Sequence, residues 1–230
     1  MLEDLKKQVC EANLKLLAEG LVVNTFGNVS GIDRDSGNVV IKPSGVPYEQ
    51  MKPRDMVVVE LSGAERVEGD LQPSSDLQTH LELYRAFRGI GGIAHSHSTY
   101  ATSWAQARKD IPVLGTTHAD YFHGPVPCTR PMTADEVLAD YERNTAKAIV
   151  ERMVSMDPMR IPAVLVANHG PFTWGQDPLE AAANSTVLEH LAILAAHTVS
   201  IEPYPKPISR ELLDKHYSRK HGPGAYYGQK

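Results

Sequence analysis

The stretch "GGIAHSHSTYA", residues 91–101, decides how the chain is read. Its first half is small and apolar, the composition of a short buried strand, and it runs into two histidines one residue apart. Side chains along a strand alternate between faces, so His95 and His97 would point the same way. Two imidazoles at that spacing can hold one transition metal, with bonds of about 2.0–2.1 Å to zinc. The pair reads equally well as two strand-end histidines bonded to neighbouring backbone, and the stretch alone does not choose.

On either side of it, strands and helices alternate. "GNVVIKP" (37–43), "MVVVEL" (56–61), residues 111–115 and "IPAVLVAN" (161–168) read as strands. Leu2, Leu5, Val9, Ala12 and Leu16 form one helical stripe that stops at Gly20. Residues 76–87 read as a helix started by Ser74 or Ser75, and another helix covers about 100–107. Thr133 and Glu136 make a capping-box pattern for a helix running to about Met153. Asp177-Pro178 suits the start of a helix reaching about Thr198, and a last helix lies near 210–219. This interleaving predicts one α/β domain over 1–230, its sheet covered by helices on both faces. Whether the strands run parallel or mixed stays open at this point.

The charge balance narrows the partners. The 230 residues carry a net charge of −5 with scattered lysines and arginines, so no basic face for nucleic acid is expected. A local site for one phosphate is still allowed. No stretch approaches the roughly 20 apolar residues of a membrane span, and the N-terminal helix pattern is unlike a secretory leader. Cys10 and Cys128 make no disulfide framework, which fits a cytoplasmic protein.

Two further residues widen the metal reading. His169, in "LVANHGPFTWG", also lies where an apolar strand runs out into a turn. Asp76 opens a helix, where an acid is favoured by the helix dipole alone, yet it could join the imidazoles. Three histidines with an optional carboxylate describe an open catalytic site rather than a closed structural one. "FGNVSG" (26–31), "KPSGVP" (42–47) and "PSSD" (73–76) read as loops. Together with Lys42 and a helix N-terminus they could cradle one phosphate, although none matches a P-loop.

"GNVSG", "IKPSGV", "PSSD", "GGIAHSHS", "GTTHADYF", "NHGPFTWG" and "LLDKHYSRKHG…AYYGQ" together resemble the L-ribulose-5-phosphate 4-epimerases, a branch of the class II aldolase family. The resemblance runs from Met1 to Gln229, with Phe26 in place of an expected Trp and Asn168 where Ser is frequent. It implies a three-layer α/β/α sandwich around a mixed, largely antiparallel sheet. It also implies a homotetramer with active sites between subunits, the tail at about 220–230 docking at the interface. Carried over by position, His95, His97 and His169 are the ligands of one divalent metal per subunit, with Asp76 beside them. Zinc suits them, and manganese or cobalt can occupy similar sites. Gly27, Asn28, Lys42, Ser44, Gly45, Ser74 and Ser75 match the substrate and phosphate loops. Asp120 and Tyr227 match the acid/base pair, with Thr116, Glu142, His216 and Arg219 in support.

The implied reaction interconverts two phosphorylated pentuloses, L-ribulose 5-phosphate and D-xylulose 5-phosphate, by breaking and re-forming C3–C4. A free tyrosine ionises near pH ~10, so Tyr227 would need a nearby cation to act as a base. Two other functions stay in view: an aldolase that releases the aldehyde, and a non-catalytic scaffold of the same fold. Aldolases of this kind use a glutamate near the metal, where this chain has Asp76.

Overall fold

A computed structural model of the chain describes residues 2–221 and 224–227. Seven strands form one sheet: β1 (Asn28–Asp33), β2 (Asn38–Ile41), β3 (Val57–Glu60), β4 (Arg66–Glu68), β5 (Gly92–His95), β6 (Ala163–Leu165) and β7 (Pro171–Gly175). The order across the sheet is β4-β3-β2-β1-β5-β7-β6. All strand pairings are antiparallel, and a single bridge between Cys128 and Leu165 is parallel.

Alternating side chains supply both faces of the sheet. Val39, Ile41, Val57, Val59, Ile93, Phe172 and Trp174 pack on one side against α2 (Leu77–Ala86) and α6 (Tyr141–Met153). Val29, Val40, Val58 and Ala94 face the other way, onto α1 (Leu2–Ala18) and α7 (Pro178–Ile201). The expected three-layer sandwich is what forms. Beyond β6, α3 (Thr99–Ala107) packs its Ala101 and Ala105 with α7. The short α4 (Thr116–Ala119) meets α8 (Arg210–His221) around Val113, Ala119 and Leu213.

Several elements differ from the reading of the sequence, each for a local reason. "FGNVSG" is not wholly a loop, because β1 begins at Asn28. Its small residues make room for helices: a Cβ on Gly31 would lie 2.6 Å from Pro178 Cγ and 2.7 Å from Leu5 Cδ1. Gly31→Ala is therefore expected to cost about 1–3 kcal/mol by overpacking, read as a lower urea midpoint. β4 and β7 have no counterpart in the sequence reading. Residues 111–115 make no strand; only Ile111 pairs, in an isolated bridge to Val126, and Pro112 has no N–H to continue a ladder.

The helix expected from Thr133 to Met153 is two helices. The capping box forms as expected, with Thr133 Oγ1 accepting from Glu136 N at 3.2 Å and Glu136 Oε2 from Thr133 N at 2.7 Å. The resulting α5 (Ala134–Ala139) ends at Asp140, whose extended backbone breaks the run and whose carboxylate accepts from Arg143 N to start α6. Asn144 Nδ2 then donates to the carbonyl of Glu136 at 2.8 Å, joining the two helices at the break. Asp177 caps α7 as expected, accepting from Glu180 N at 2.8 Å. Cys10 and Cys128 are both free and buried. Among the described residues, no helix is long and apolar enough to cross a membrane.

Candidate active site

The antiparallel register gathers the site at the ends of three neighbouring strands inside the sheet. The end of β5 lies beside the starts of both its neighbours, His95 opposite Asn28 of β1 and Phe172 of β7. The strand stops at His95, so His97 reaches the site from the segment beyond it rather than by strand alternation. That segment is anchored by α7. The Glu189 carboxylate of α7 accepts from Tyr100 N at 2.8 Å and Ala101 N at 2.9 Å, satisfying two free N–H groups at the start of α3. His169 sits in the turn between β6 and β7 behind Asn168, whose φ of 63° is a left-handed conformation asparagine tolerates.

The three imidazoles face one another. One nitrogen from each lies within 4.8 Å of the others, and the ring centroids are 4.7–5.0 Å apart. His95 Nδ1 donates to the Pro171 carbonyl at 2.9 Å, and its ring stacks on Phe172 at 4.2 Å. That bond turns Nε2 toward His97, whose own Nε2 is 3.1 Å away. Burial, reinforced by the neighbouring imidazoles, pushes His169 down to about 3 and lowers His97 as well. Both rings are therefore neutral at physiological pH, the form in which histidine ligates metal. The donor set fits a divalent metal.

Asp76 stands at the head of α2, but its carboxylate makes no capping bond. It accepts from Asn28 Nδ2 at 2.7 Å instead. Burial alone would raise its pKa; His95, His80, the Asn28 amide and His169 outweigh that and hold it below the usual carboxylate range. Asn28 Oδ1 is buried with no partner among the described residues, an acceptor available to a ligand hydroxyl.

These groups line a cavity of about 370 Å³. Two loops zipped together also contribute to its wall, with Ser44 N donating to Gln72 O at 2.9 Å and Ser74 N to Lys42 O at 3.0 Å. Ser44, Gly45, Ser74 and Ser75 are the residues they place there. Gly27, also on the wall, holds a φ of 78°, and a Cβ there would be 2.8 Å from the His95 carbonyl. Lys42 is 2% exposed, and its Nζ donates only to the carbonyls of Thr25 (3.2 Å) and Pro43 (3.4 Å). Burial lowers its pKa, and among the described residues no carboxylate counters this. A buried cation without a counter-charge is costly, and an anion in this cavity would relieve it.

Not every expected residue comes to this cavity. Glu142 lines it, and so does Tyr141, which no signal in the sequence marks. Phe26 adds its ring 6.1 Å from that of His97. Asp120, Thr116, His216, Arg219 and Tyr227 do not line it. Asp120 accepts from Arg219 at 2.6 and 3.0 Å and from His216 Nδ1 at 2.9 Å, while Arg219 lies 4.8 Å over the Tyr227 ring. They form a second cluster where α4 meets α8, with Asp120 N bonded to Thr116 O at 2.9 Å. Of the tail at 220–230, residues 222–223 and 228–230 lie outside the described residues.

Burial would raise the Asp120 carboxyl, but Arg219, His216 and Lys220 outweigh it and hold it below the usual range. A depressed carboxyl contributes stability that is present above its unfolded value and lost as pH falls through the folded one. Asp120→Asn is therefore expected to lower the melting temperature at pH 7 by about 2–4 °C. The difference from wild type should start to close below pH 3.8, the ordinary carboxyl value, in thermal melts at stepped pH.

Comparison with known proteins places this architecture. The chain is 28% identical to an L-fuculose 1-phosphate aldolase, with 94% of this chain and 95% of that one covered and a TM-score of 0.79. The L-fuculose-1-phosphate aldolase of Thermus thermophilus is 25% identical, covering 88% and 98% with a TM-score of 0.68. An aldolase II superfamily protein from Pseudomonas syringae shares the fold at 14% identity, with 97% and 88% covered and a TM-score of 0.77. The family model described as the class II aldolase and adducin N-terminal domain matches residues 7–196, most of the chain. With its antiparallel sheet and its cavity of facing imidazoles, the chain belongs to the class II aldolase and adducin N-terminal domain family.

Proposed function

We propose that the protein is a metal-dependent epimerase interconverting L-ribulose 5-phosphate and D-xylulose 5-phosphate. The observation that carries this reading is a single cavity lined by three facing imidazoles and by the buried Lys42. A phosphorylated ketose has the matching pair of groups.

Inversion at C4 cannot proceed by removing the C4 hydrogen, which is not next to the carbonyl and is not acidic. Breaking C3–C4 avoids this: the C4 hydroxyl loses its proton, the bond electrons move toward the C2 carbonyl, and glycolaldehyde phosphate is left beside an enediolate. Turning the aldehyde and re-forming the bond on its other face inverts C4. A divalent metal held by His95, His97 and His169 would supply Lewis-acid stabilisation of the charge reaching the C2 oxygen. Lys42, Ser44, Gly45, Ser74 and Ser75 retain the aldehyde by its phosphate while its carbonyl turns. Asp120 and Tyr227 take and return the proton at the C4 oxygen, one for each orientation. Since both lie in the cluster at α4 and α8, a neighbouring subunit of a homotetramer would present them to this cavity. Asp76, short and tied to Asn28, is suited to orienting charge rather than protonating the enediolate, which favours re-addition over release.

A sugar-phosphate aldolase is the second reading, favoured by the 28% identity to an L-fuculose 1-phosphate aldolase. An NMR time course of zinc-loaded protein with L-ribulose 5-phosphate, with and without chelator, separates the two. Chelator-sensitive formation of D-xylulose 5-phosphate supports the epimerase. Accumulation of free glycolaldehyde phosphate, or cleavage of L-fuculose 1-phosphate in a parallel run, supports the aldolase.

A further inference from the structure

Tyr141 is the first residue of α6, and its hydroxyl lies 3.4 Å from His169 Nδ1 inside the cavity. Its backbone is firmly placed. Thr145 Oγ1 donates to the Tyr141 carbonyl at 2.8 Å, and Thr79 of α2 donates to the carbonyl of Glu142 at 2.7 Å. The phenol is thus held by the break at Asp140 and by the helix that Asp76 heads.

A neutral imidazole carries one proton, and its position decides which nitrogen has a lone pair to give. In His95 the matter is settled by the Pro171 carbonyl, which accepts the Nδ1 proton and frees Nε2. His169 has no such carbonyl at Nδ1; the Tyr141 oxygen is there instead. If His169 is to offer Nε2 alongside His95 and His97, its Nδ1 must carry the proton and the phenol oxygen must accept it.

We propose that Tyr141 is a positioning residue that accepts the Nδ1 proton of His169 and so holds the tautomer whose Nε2 is free for a metal. This rests on the reading of the three imidazoles as metal ligands.

Tyr141→Phe removes one oxygen and tests the inference in two ways. In metal-free protein, ¹⁵N shifts of His169 should report the Nδ1–H tautomer in wild type and a mixture in Y141F. In competition with a chromophoric chelator, Y141F should bind zinc about 10–100-fold more weakly, the size of effect such supporting partners have. The metal-free melting temperatures should match, which separates positioning from a packing defect. Equal zinc affinity, or an unchanged tautomer ratio, overturns the inference. Wild-type protein that binds no zinc overturns the metal reading itself, and His169→Ala checks this independently: it should abolish zinc binding if the triad is the site.

Discussion

His97→Ala is expected to leave a folded protein with about a thousandth of wild-type turnover and without stoichiometric zinc. His97 is open to solvent at the cavity wall, whereas His95 is 1% exposed and stacked on Phe172. Removing the exposed ring takes away one imidazole of the proposed metal site and leaves the core intact, so the loss reads on chemistry rather than on folding. A metal stabilises the developing charge by several kcal/mol. Losing about 4 kcal/mol of that is roughly a thousandfold in rate. Metal analysis of the purified variant, beside its circular dichroism and its rate, checks all three parts. Full activity in a zinc-free variant would remove the metal from the mechanism.

The second large effect is one of recovery. His97→Ala and Asp120→Asn should each be nearly inactive alone. Dissociated together and reassembled at equal amounts, they should regain about a quarter of wild-type activity. The reason is the separation of the two clusters: Asp120 is bonded to Arg219 and His216, away from the cavity of its own chain. If each working site takes imidazoles from one copy and Asp120 from the next, random mixing makes both halves intact at about one site in four. If Asp120 serves its own chain's cavity, every chain carries a defect and mixing restores nothing.

How far the sequence reveals this molecule depends on what each residue is doing. Helical periodicity exposes α1, apolar runs bounded by turn residues expose β2 and β3, and the Asp177-Pro178 pair exposes the start of α7. Such patterning fails where small residues admit a neighbour. Gly31 reads as a turn, yet it sits in mid-strand because α1 and the start of α7 approach it closely. The break at Asp140 is hidden by a good capping box about two turns earlier, and with it goes Tyr141, whose importance comes only from its distance to His169. Glu189 gives no local signal at all, since the N–H groups it accepts from lie 88 and 89 residues away. The three histidines are legible because each stands out against an apolar or glycine-rich setting. Their convergence depends on the resemblance to a family, and the register of β5 with β1 and β7 supplies the physical reason for it.

That register has a consequence for how the protein comes to be. β5 is completed only by partners drawn from far along the chain, and the Pro171 carbonyl that orients His95 lies 76 residues downstream. Contacts of such long range form slowly because a large loop must close first. During synthesis, His95 and His97 emerge well before the segment bearing His169, so the trio assembles only when the last strands join the sheet. A metal that prefers the assembled trio binds the finished protein and not its precursors, and it stabilises that state by mass action. Loading would then mark the end of folding rather than guide its course.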